Sequence, residues 1–242
     1  MTIYEKNMQA IREHHVRLHE YLETAQPEQS VEIRYEAAED EMLYPIVTKG
    51  GLEYRLNSKY NPKEASMQYV SQFEKEGSYS VFFLLGFGDG RRSIEALAQT
   101  LDETMTLIVY EPSAAIFQKT LETFDYTELL KKKNVYLIVE SENMLQDYLE
   151  SGISFNNIRM MRLGILPNYD SIYPKECKHM LETMIYFMNK TKIYRNTIYN
   201  FRDEFAAHAL SNMYDYLWQT DTHYLKECLA EEDLSDVTAI IV

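Results

Sequence analysis

The sequence is short of basic residues, cysteine and long apolar runs, and each shortage excludes a class of protein. Lys and Arg number 24 against 38 Asp and Glu, a formal net charge of −14. Nucleic acids and anionic membranes need a basic surface, so neither is expected as a partner. Cys177 and Cys228 are too few for a disulfide framework or a four-cysteine zinc site. No apolar run reaches the roughly 18 residues of a membrane span, and the charged N-terminus does not resemble a signal peptide. We therefore expect an acidic, soluble, cytoplasmic α/β protein.

Glycine is scarce as well, and its distribution is uneven. The chain has 8 glycines in 242 residues, below the average usage of about 7%. Three of them, Gly86, Gly88 and Gly90, stand together in the string LLGFGDGRR at 84–92. This clustering marks a place where the backbone needs conformational freedom or where another group must approach it closely.

Residues 1–75 have the pattern of a helix followed by a small antiparallel meander. Apolar residues first recur at helical spacing and then alternate with charged residues in the two-residue period of a strand. Gly50 and Gly51 predict a hairpin turn. Pro45 lies within the strand that precedes this turn and confines that strand to a sheet edge. Asn61 is placed to cap the helix that follows. The predicted elements are a helix over 3–24, a meander over 30–57 with strands near 31–35, 42–48 and 52–56, and a helix from 62 to about 73.

Residues 76–172 predict a Rossmann-like core. Four apolar runs of strand length alternate with three amphipathic helical patterns. Strands that are apolar on both faces are typical of a parallel sheet covered by helices on both sides, with right-handed crossovers. The strands are predicted near 80–85, 105–111, 135–139 and 159–165.

Residues 173–235 predict a helical segment whose apolar side is rich in Met and Tyr. Such a stripe favours a packing surface over a ligand site, because Met fills irregular helix interfaces. Residues 236–242, DVTAIIV, have the composition of a buried strand. We expect them to begin a further domain that is cut off at Val242.

The glycine string is the strongest candidate for a binding site. It follows an apolar strand and opens a helix, whose free N–H groups favour anions. Glu111 ends the next predicted strand, so the two should meet at the carboxyl edge of the sheet, where a carboxylate can accept hydrogen bonds from ribose. Arg91 and Arg92 could pair with phosphate. The candidate ligand-binding residues are Gly86, Gly88, Gly90, Arg91 and Glu111.

Two interpretations of this string remain open. The spacing G-x-G-x-G followed by an acid resembles S-adenosylmethionine-dependent methyltransferases, so the cofactor would be a nucleotide or S-adenosylmethionine. The string LPNY at 166–169 weakly resembles the Asn-Pro-Pro-Tyr motif of amino-methyltransferases, without the polar residue before the proline. Alternatively, the glycines serve helix–strand packing, and Arg91 and Arg92 are solvated.

The histidines and cysteines predict no metal site. His15 and His19 are four residues apart on one helix face, but no third ligand is implied. Cys177 and His179 are two apart and point in different directions along a helix. The sequence also lacks a G-x-S-x-G elbow, a Walker loop and an H-E-x-x-H motif. We therefore predict neither metal ligands nor catalytic residues.

Four strings stand in order along the chain: LNSKYNPKEAS at 56–66, LLGFGDG at 84–90, VYEPSAAIFQKTLETFD at 109–125 and LPNYDSIYP at 166–174. Together they resemble the N-terminal region of one protein family, the motility-associated factor (Maf) flagellin glycosyltransferases. In that family a segment like DVTAIIV leads into a central catalytic domain related to hydroxymethylpterin diphosphokinases. The resemblance covers most of residues 50–242.

The resemblance implies an accessory, non-catalytic role for this chain. Members of the family transfer nonulosonic acids, relatives of sialic acid, from CMP donors to Ser or Thr of flagellin in the cytoplasm, with the transfer residues in the central domain. The implied partners are flagellin and the chain's own central domain. Two alternatives stay open. One is a methyltransferase-like enzyme that uses the glycine string and Glu111. The other is a structural oligomerisation module built on helices over 174–229.

Overall fold

The computed structural model describes residues 1–26, 28–39, 41–73, 77–88, 92–140, 142–154 and 157–218. The chain divides into two compact units, Met1–Lys192 and a second that begins at Ile193. Within the described ranges, no helix combines the length and the apolarity that crossing a bilayer requires.

Two helices, α1 (Ile3–His14) and α2 (Val16–Thr24), begin the first unit. Thr2 and Glu5 form a reciprocal capping box at the start of α1. The prediction of one helix over 3–24 is wrong, because His15 leaves the helical conformation at φ −133° and ψ 58°. Its Nε2 lies 2.9 Å from the carbonyl oxygen of Leu130. This tertiary contact stabilises the break between α1 and α2, and no Gly or Pro in the sequence indicates it.

The meander is confirmed as a three-stranded antiparallel sheet in the order β1-β2-β3. Gly50 and Gly51 have φ of 59° and 78° and form the hairpin turn. The prediction that Pro45 lies on an edge strand is wrong, since β2 is central. Pro45 sits one residue beyond the last β2–β3 pair, and its carbonyl accepts the N–H of Leu56. The N–H and C=O of a strand residue point to the same side, so the missing N–H of Pro45 costs only the reciprocal bond to Leu56, at the end of the β2–β3 ladder. The strands are β1 (Val31–Ala37), β2 (Leu43–Lys49) and β3 (Leu52–Arg55).

The predicted Rossmann-like core is confirmed as a four-stranded parallel sheet in the order β6-β5-β4-β7. All residues of β4 are buried, as expected for a strand with helices on both faces. Asn61 caps α3, accepting the N–H of Glu64. The remaining elements are α3 (Pro62–Val70), β4 (Val81–Leu85), α4 (Arg92–Thr100), β5 (Thr106–Glu111), α5 (Ala114–Thr123), α6 (Thr127–Leu130), β6 (Val135–Val139), α7 (Glu142–Gly152), β7 (Met161–Ile165), α8 (Tyr169–Ile172) and α9 (Pro174–Trp218).

One hydrophobic core runs through the first unit. It joins side chains from α1 and α2, the meander, both faces of the parallel sheet and the beginning of α9. This core crosses the predicted divisions at 75/76 and 172/173, which stay predictions. Met180, Met184 and Phe187 are buried in it, so this part of the Met-rich stripe is packing surface. Residues 219–242, including the strand predicted at 236–242, lie outside the described residues.

Candidate functional site

The glycine loop follows β4 at the carboxyl edge of the parallel sheet. Gly86 has φ +105°, a conformation that L side chains rarely adopt. Its N–H donates to the carbonyl of Tyr110 on β5 over 2.8 Å. The structure describes Gly86 and Gly88, whereas Gly90 and Arg91 lie outside the described residues.

Glu111, the last residue of β5, is brought against this loop as the sequence predicts. Its Oε2 accepts the N–H of Phe87 over 2.8 Å, and its Oε1 accepts the N–H of Ser113 over 2.9 Å. The hydroxyl of Tyr169 donates to Oε2 over 2.5 Å. Both carboxyl oxygens therefore accept hydrogen bonds from the chain itself, and the residue is only 1% exposed.

Tyr169, the first residue of α8, fills the space beside the glycines. A methyl group added at Gly86 would lie 2.5 Å from Cε2 of Tyr169, and one added at Gly88 would lie 2.8 Å from its hydroxyl oxygen and 2.5 Å from Cγ2 of Ile116. The N–H of Gly88 donates to the same hydroxyl over 2.9 Å. The glycines thus admit a buried tyrosine of the same chain to the backbone.

The electrostatics of this cluster follow from burial. Burial raises the pKa of Glu111 to about 8, with a smaller contribution from Glu140 in the same direction, while the hydrogen bonds to Glu111 act in the opposite direction. Burial also raises the pKa of Tyr169, and Glu111 adds to that shift. The tyrosine therefore stays a neutral hydroxyl that can donate to Glu111 and accept from the loop.

Glu140 and Tyr169 are the site residues that the sequence analysis missed. Glu140 directly follows β6, at the same sheet edge as Glu111. Its Oε1 accepts the N–H of Ala114 over 2.6 Å and its Oε2 accepts the hydroxyl of Tyr21 over 2.7 Å. Its position directly after a predicted strand could have indicated that it lies at this edge of the sheet. Tyr169 stood in the string LPNY, but nothing local indicates that its ring turns back onto the glycine loop.

The arrangement favours the packing interpretation of the glycine string. Both oxygens of Glu111 are engaged, so a ribose could use this carboxylate only by displacing Tyr169. Ligand binding by Gly86, Gly88 and Glu111 stays a prediction, and the contributions of Gly90 and Arg91 concern residues outside the described part. Among the described side chains, no group of three or more His, Cys, Asp or Glu is placed to hold a metal ion.

No family model matches the sequence, and no curated protein matches it. Among solved structures, the chain is similar to a Maf glycosyltransferase from Magnetospirillum magneticum AMB-1, at 16% identity and a TM-score of 0.45, over 76% of this chain and 35% of that one. It is also similar to spermidine synthase from Thermotoga maritima, at 10% identity and a TM-score of 0.30, over 52% of each chain. The chain thus spans about a third of the Maf glycosyltransferase, and likenesses this distant assign no function.

Proposed function

We propose that this chain is a non-catalytic N-terminal part of a Maf-type flagellin glycosyltransferase. The observation that carries the proposal is the environment of Gly88. A methyl group added there would lie 2.5 Å from Ile116, 2.8 Å from Tyr169 and 3.0 Å from Leu56. Gly88 and these three side chains belong to the four strings that carry the family resemblance. Strings far apart in the sequence therefore share one packing centre, which supports reading them as a single family pattern.

The chemistry of that centre supports an accessory role. Tyr169 and Glu111 are fully buried and bonded to each other and to the backbone, so neither is available to activate an acceptor hydroxyl. A group that acts as general base must reach the proton that it removes. The family-like residues therefore maintain the fold, and transfer is assigned to residues outside the chain. In this proposal the whole protein moves a nonulosonic acid from a CMP donor to Ser or Thr of flagellin in the cytoplasm.

The test compares the protein encoded by the complete gene with residues 1–242. Both are incubated with flagellin and a CMP-activated nonulosonic acid, and modified flagellin is measured by mass spectrometry. We expect transfer by the complete protein and none by residues 1–242, with circular dichroism confirming that the shorter chain is folded. Transfer by residues 1–242 alone would overturn the division of labour. A complete protein that is folded but inactive would overturn the family assignment.

A second candidate function, an oligomerisation module, keeps one observation in its favour. The described part of the second unit exposes large apolar side chains along α9, each at least 46% exposed. We propose self-association through this stretch as the alternative role. Analytical ultracentrifugation of the wild type and of a Phe201→Ser, Phe205→Ser double variant tests it, since a wild type that stays monomeric at high concentration excludes it. The exposed side chains are Ile193, Tyr194, Tyr199, Phe201, Phe205, Leu210 and Met213.

A further inference from the structure

A cavity opens at the carboxyl edge of the parallel sheet, on the other side of β4 from Glu111. It has a volume of about 320 Å³ and lies between the loop after β3, helix α3, the first turn of α4, and the loop after β7. This volume falls at the lower end of the range for small-molecule sites, about 300–1,000 Å³. Pro167 and Asn168, which follow β7, and Ser93, in the first turn of α4, line it.

The sheet topology makes this position favourable for a ligand. In the order β6-β5-β4-β7, the chain moves from β4 to β5 and β6 on one side and then returns to place β7 on the other. The connections therefore diverge between β4 and β7. Open α/β sheets bind their ligands outside the carboxyl ends of the strands at such a switch point. The cavity occupies that place, whereas the glycine loop and Glu111 lie toward β5.

The walls of the cavity carry positive charge. Arg55 and Lys59 line it, and neither forms a salt bridge within the described part of the chain. Arg55 acts electrostatically on Glu53 on the same strand, and Nζ of Lys59 lies 4.7 Å from the centre of the Tyr60 ring, so both cations remain at the cavity and are suited to an anionic ligand. A guanidinium group beside an ammonium group can bind phosphate or carboxylate oxygens through charge-assisted hydrogen bonds.

The polar lining is held in place by hydrogen bonds behind it. Buried Asn57 donates through Nδ2 to Oγ of buried Ser66 over 3.1 Å and accepts the N–H of Ser58 over 2.7 Å. Asn168, in the left-handed conformation at φ +64°, donates through Nδ2 to the carbonyl of Arg55 over 2.6 Å. These bonds tie the loop after β7 to the end of β3, so the cavity is preformed. A preformed site binds with a smaller ordering cost.

We propose that this cavity binds a small hydroxylated organic anion, of the size of a monosaccharide that bears a phosphate or a carboxylate. Arg55 and Lys59 would neutralise the anionic group. The internal bonds use Ser66 as an acceptor and Asn168 as a donor, so the hydroxyl hydrogen of Ser66 and the amide oxygen of Asn168 provide a donor and an acceptor for sugar hydroxyl groups. The proposal rests on the cavity alone and does not depend on the assignment to a glycosyltransferase.

The experiment is isothermal titration calorimetry of the purified chain with four probes. Glucose 6-phosphate and glucuronate distinguish a phosphate from a carboxylate, glucose supplies the hydroxyl groups without charge, and inorganic phosphate supplies charge without hydroxyl groups. We expect one of the two charged sugars to bind with a submillimolar Kd, and glucose and phosphate to bind at least about tenfold more weakly.

Variants locate the binding. Arg55→Ala and Lys59→Ala replace exposed cations at the rim, so the fold should be retained, as a thermal melt can verify. Each should weaken the preferred probe by about tenfold or more, whereas Lys119→Ala, the same loss of charge on α5, should leave the Kd unchanged. The proposal is overturned if neither charged sugar binds, if glucose binds as well as they do, or if binding survives the loss of both rim cations.

Discussion

At the carboxyl edge of the parallel sheet, the two sides of β4 differ: one is filled by side chains and the other holds a cavity. Toward β5, Gly86 and Gly88 press against Tyr169, whose hydroxyl is bonded to Glu111. Toward β7, the corresponding space is a cavity with two cations at its wall. The side that carries the motif is filled by the protein, and the side without a motif is open. A glycine cluster indicates that something approaches the backbone closely, and only the tertiary structure shows whether that is a ligand or a side chain.

The largest expected effect breaks the packed side. Gly86→Ala places a methyl group 2.5 Å from the buried ring of Tyr169 at a backbone φ of +105°, so steric overlap and backbone strain add. We expect a loss of about 3–5 kcal/mol in the free energy of unfolding, measured by urea denaturation. Gly51→Ala is the matched control, because its φ is +78° and nothing lies within 4 Å. It should cost only about 1 kcal/mol. Equal losses in the two variants would contradict the packing role.

The next effect concerns the hydroxyl of Tyr169. Tyr169→Phe keeps the ring but removes the donor to Glu111 and the acceptor for the N–H of Gly88. Because buried groups then lose their partners, we expect a loss of about 2–3 kcal/mol in the free energy of unfolding. Tyr136→Phe, whose ring packs on Tyr148, should stay within about 0.5 kcal/mol of the wild type. A neutral Tyr169→Phe would show that the hydroxyl bonds do not hold this side together.

Part of this comparison could be predicted from the sequence, because it depends on patterns along the chain. Continuous apolar runs predicted the parallel strands, and Gly50 with Gly51 predicted the hairpin. The parallel direction of neighbouring strands predicted that Glu111 lies beside the glycine loop. These inferences succeed because strand order along the chain and the direction of parallel strands determine which ends meet.

The rest depends on contacts between distant segments. The break at His15 is held by Leu130, more than a hundred residues away, and Pro45 fits a central strand because it lies at the end of the pairing with β3. Tyr169, which follows the last strand of the core, contacts the glycine loop, which follows the first strand. The cavity is formed by four segments that are each unremarkable locally. Periodicity and spacing within one segment do not indicate its contacts with distant segments, so sequence patterns alone did not predict these contacts.

A smaller effect, on pH dependence, tests the buried carboxyl group. Burial raises the pKa of Glu111 from 4.5 to about 8, so between these values the folded state holds a proton that the unfolded state has lost. The resulting stabilisation is present below about pH 4.5 and is lost as the pH rises through about 8. We expect the free energy of unfolding of the wild type to fall, relative to Glu111→Gln, by about 1–3 kcal/mol between about pH 5.5 and pH 8.5.

The comparison with Glu111→Gln is needed because a half-buried histidine also contributes to the pH dependence. Burial lowers the pKa of His15, so its folded state holds fewer protons than the unfolded state, and its contribution rises with pH. That contribution is common to both proteins and cancels in their difference. Parallel pH profiles for the wild type and Glu111→Gln would show that the carboxyl group is not held protonated.

The smallest expected signal is an absence of binding on the packed side. The wild type is titrated calorimetrically with S-adenosylmethionine, CMP and a CMP-sugar at millimolar concentration, and we expect no heat assignable to the glycine loop. A nucleoside would need the carboxylate of Glu111, both of whose oxygens are engaged, and a ring or ribose placed at Gly86 would overlap Tyr169.

Binding of S-adenosylmethionine that Glu111→Ala abolishes, in a variant whose melt confirms folding, would reverse the comparison. The packed side would then be a closed cofactor site that opens by moving Tyr169, and the methyltransferase interpretation would replace the accessory one. Binding that Arg55→Ala abolishes instead would place the ligand in the cavity beyond β4 and leave the packed side as a structural element.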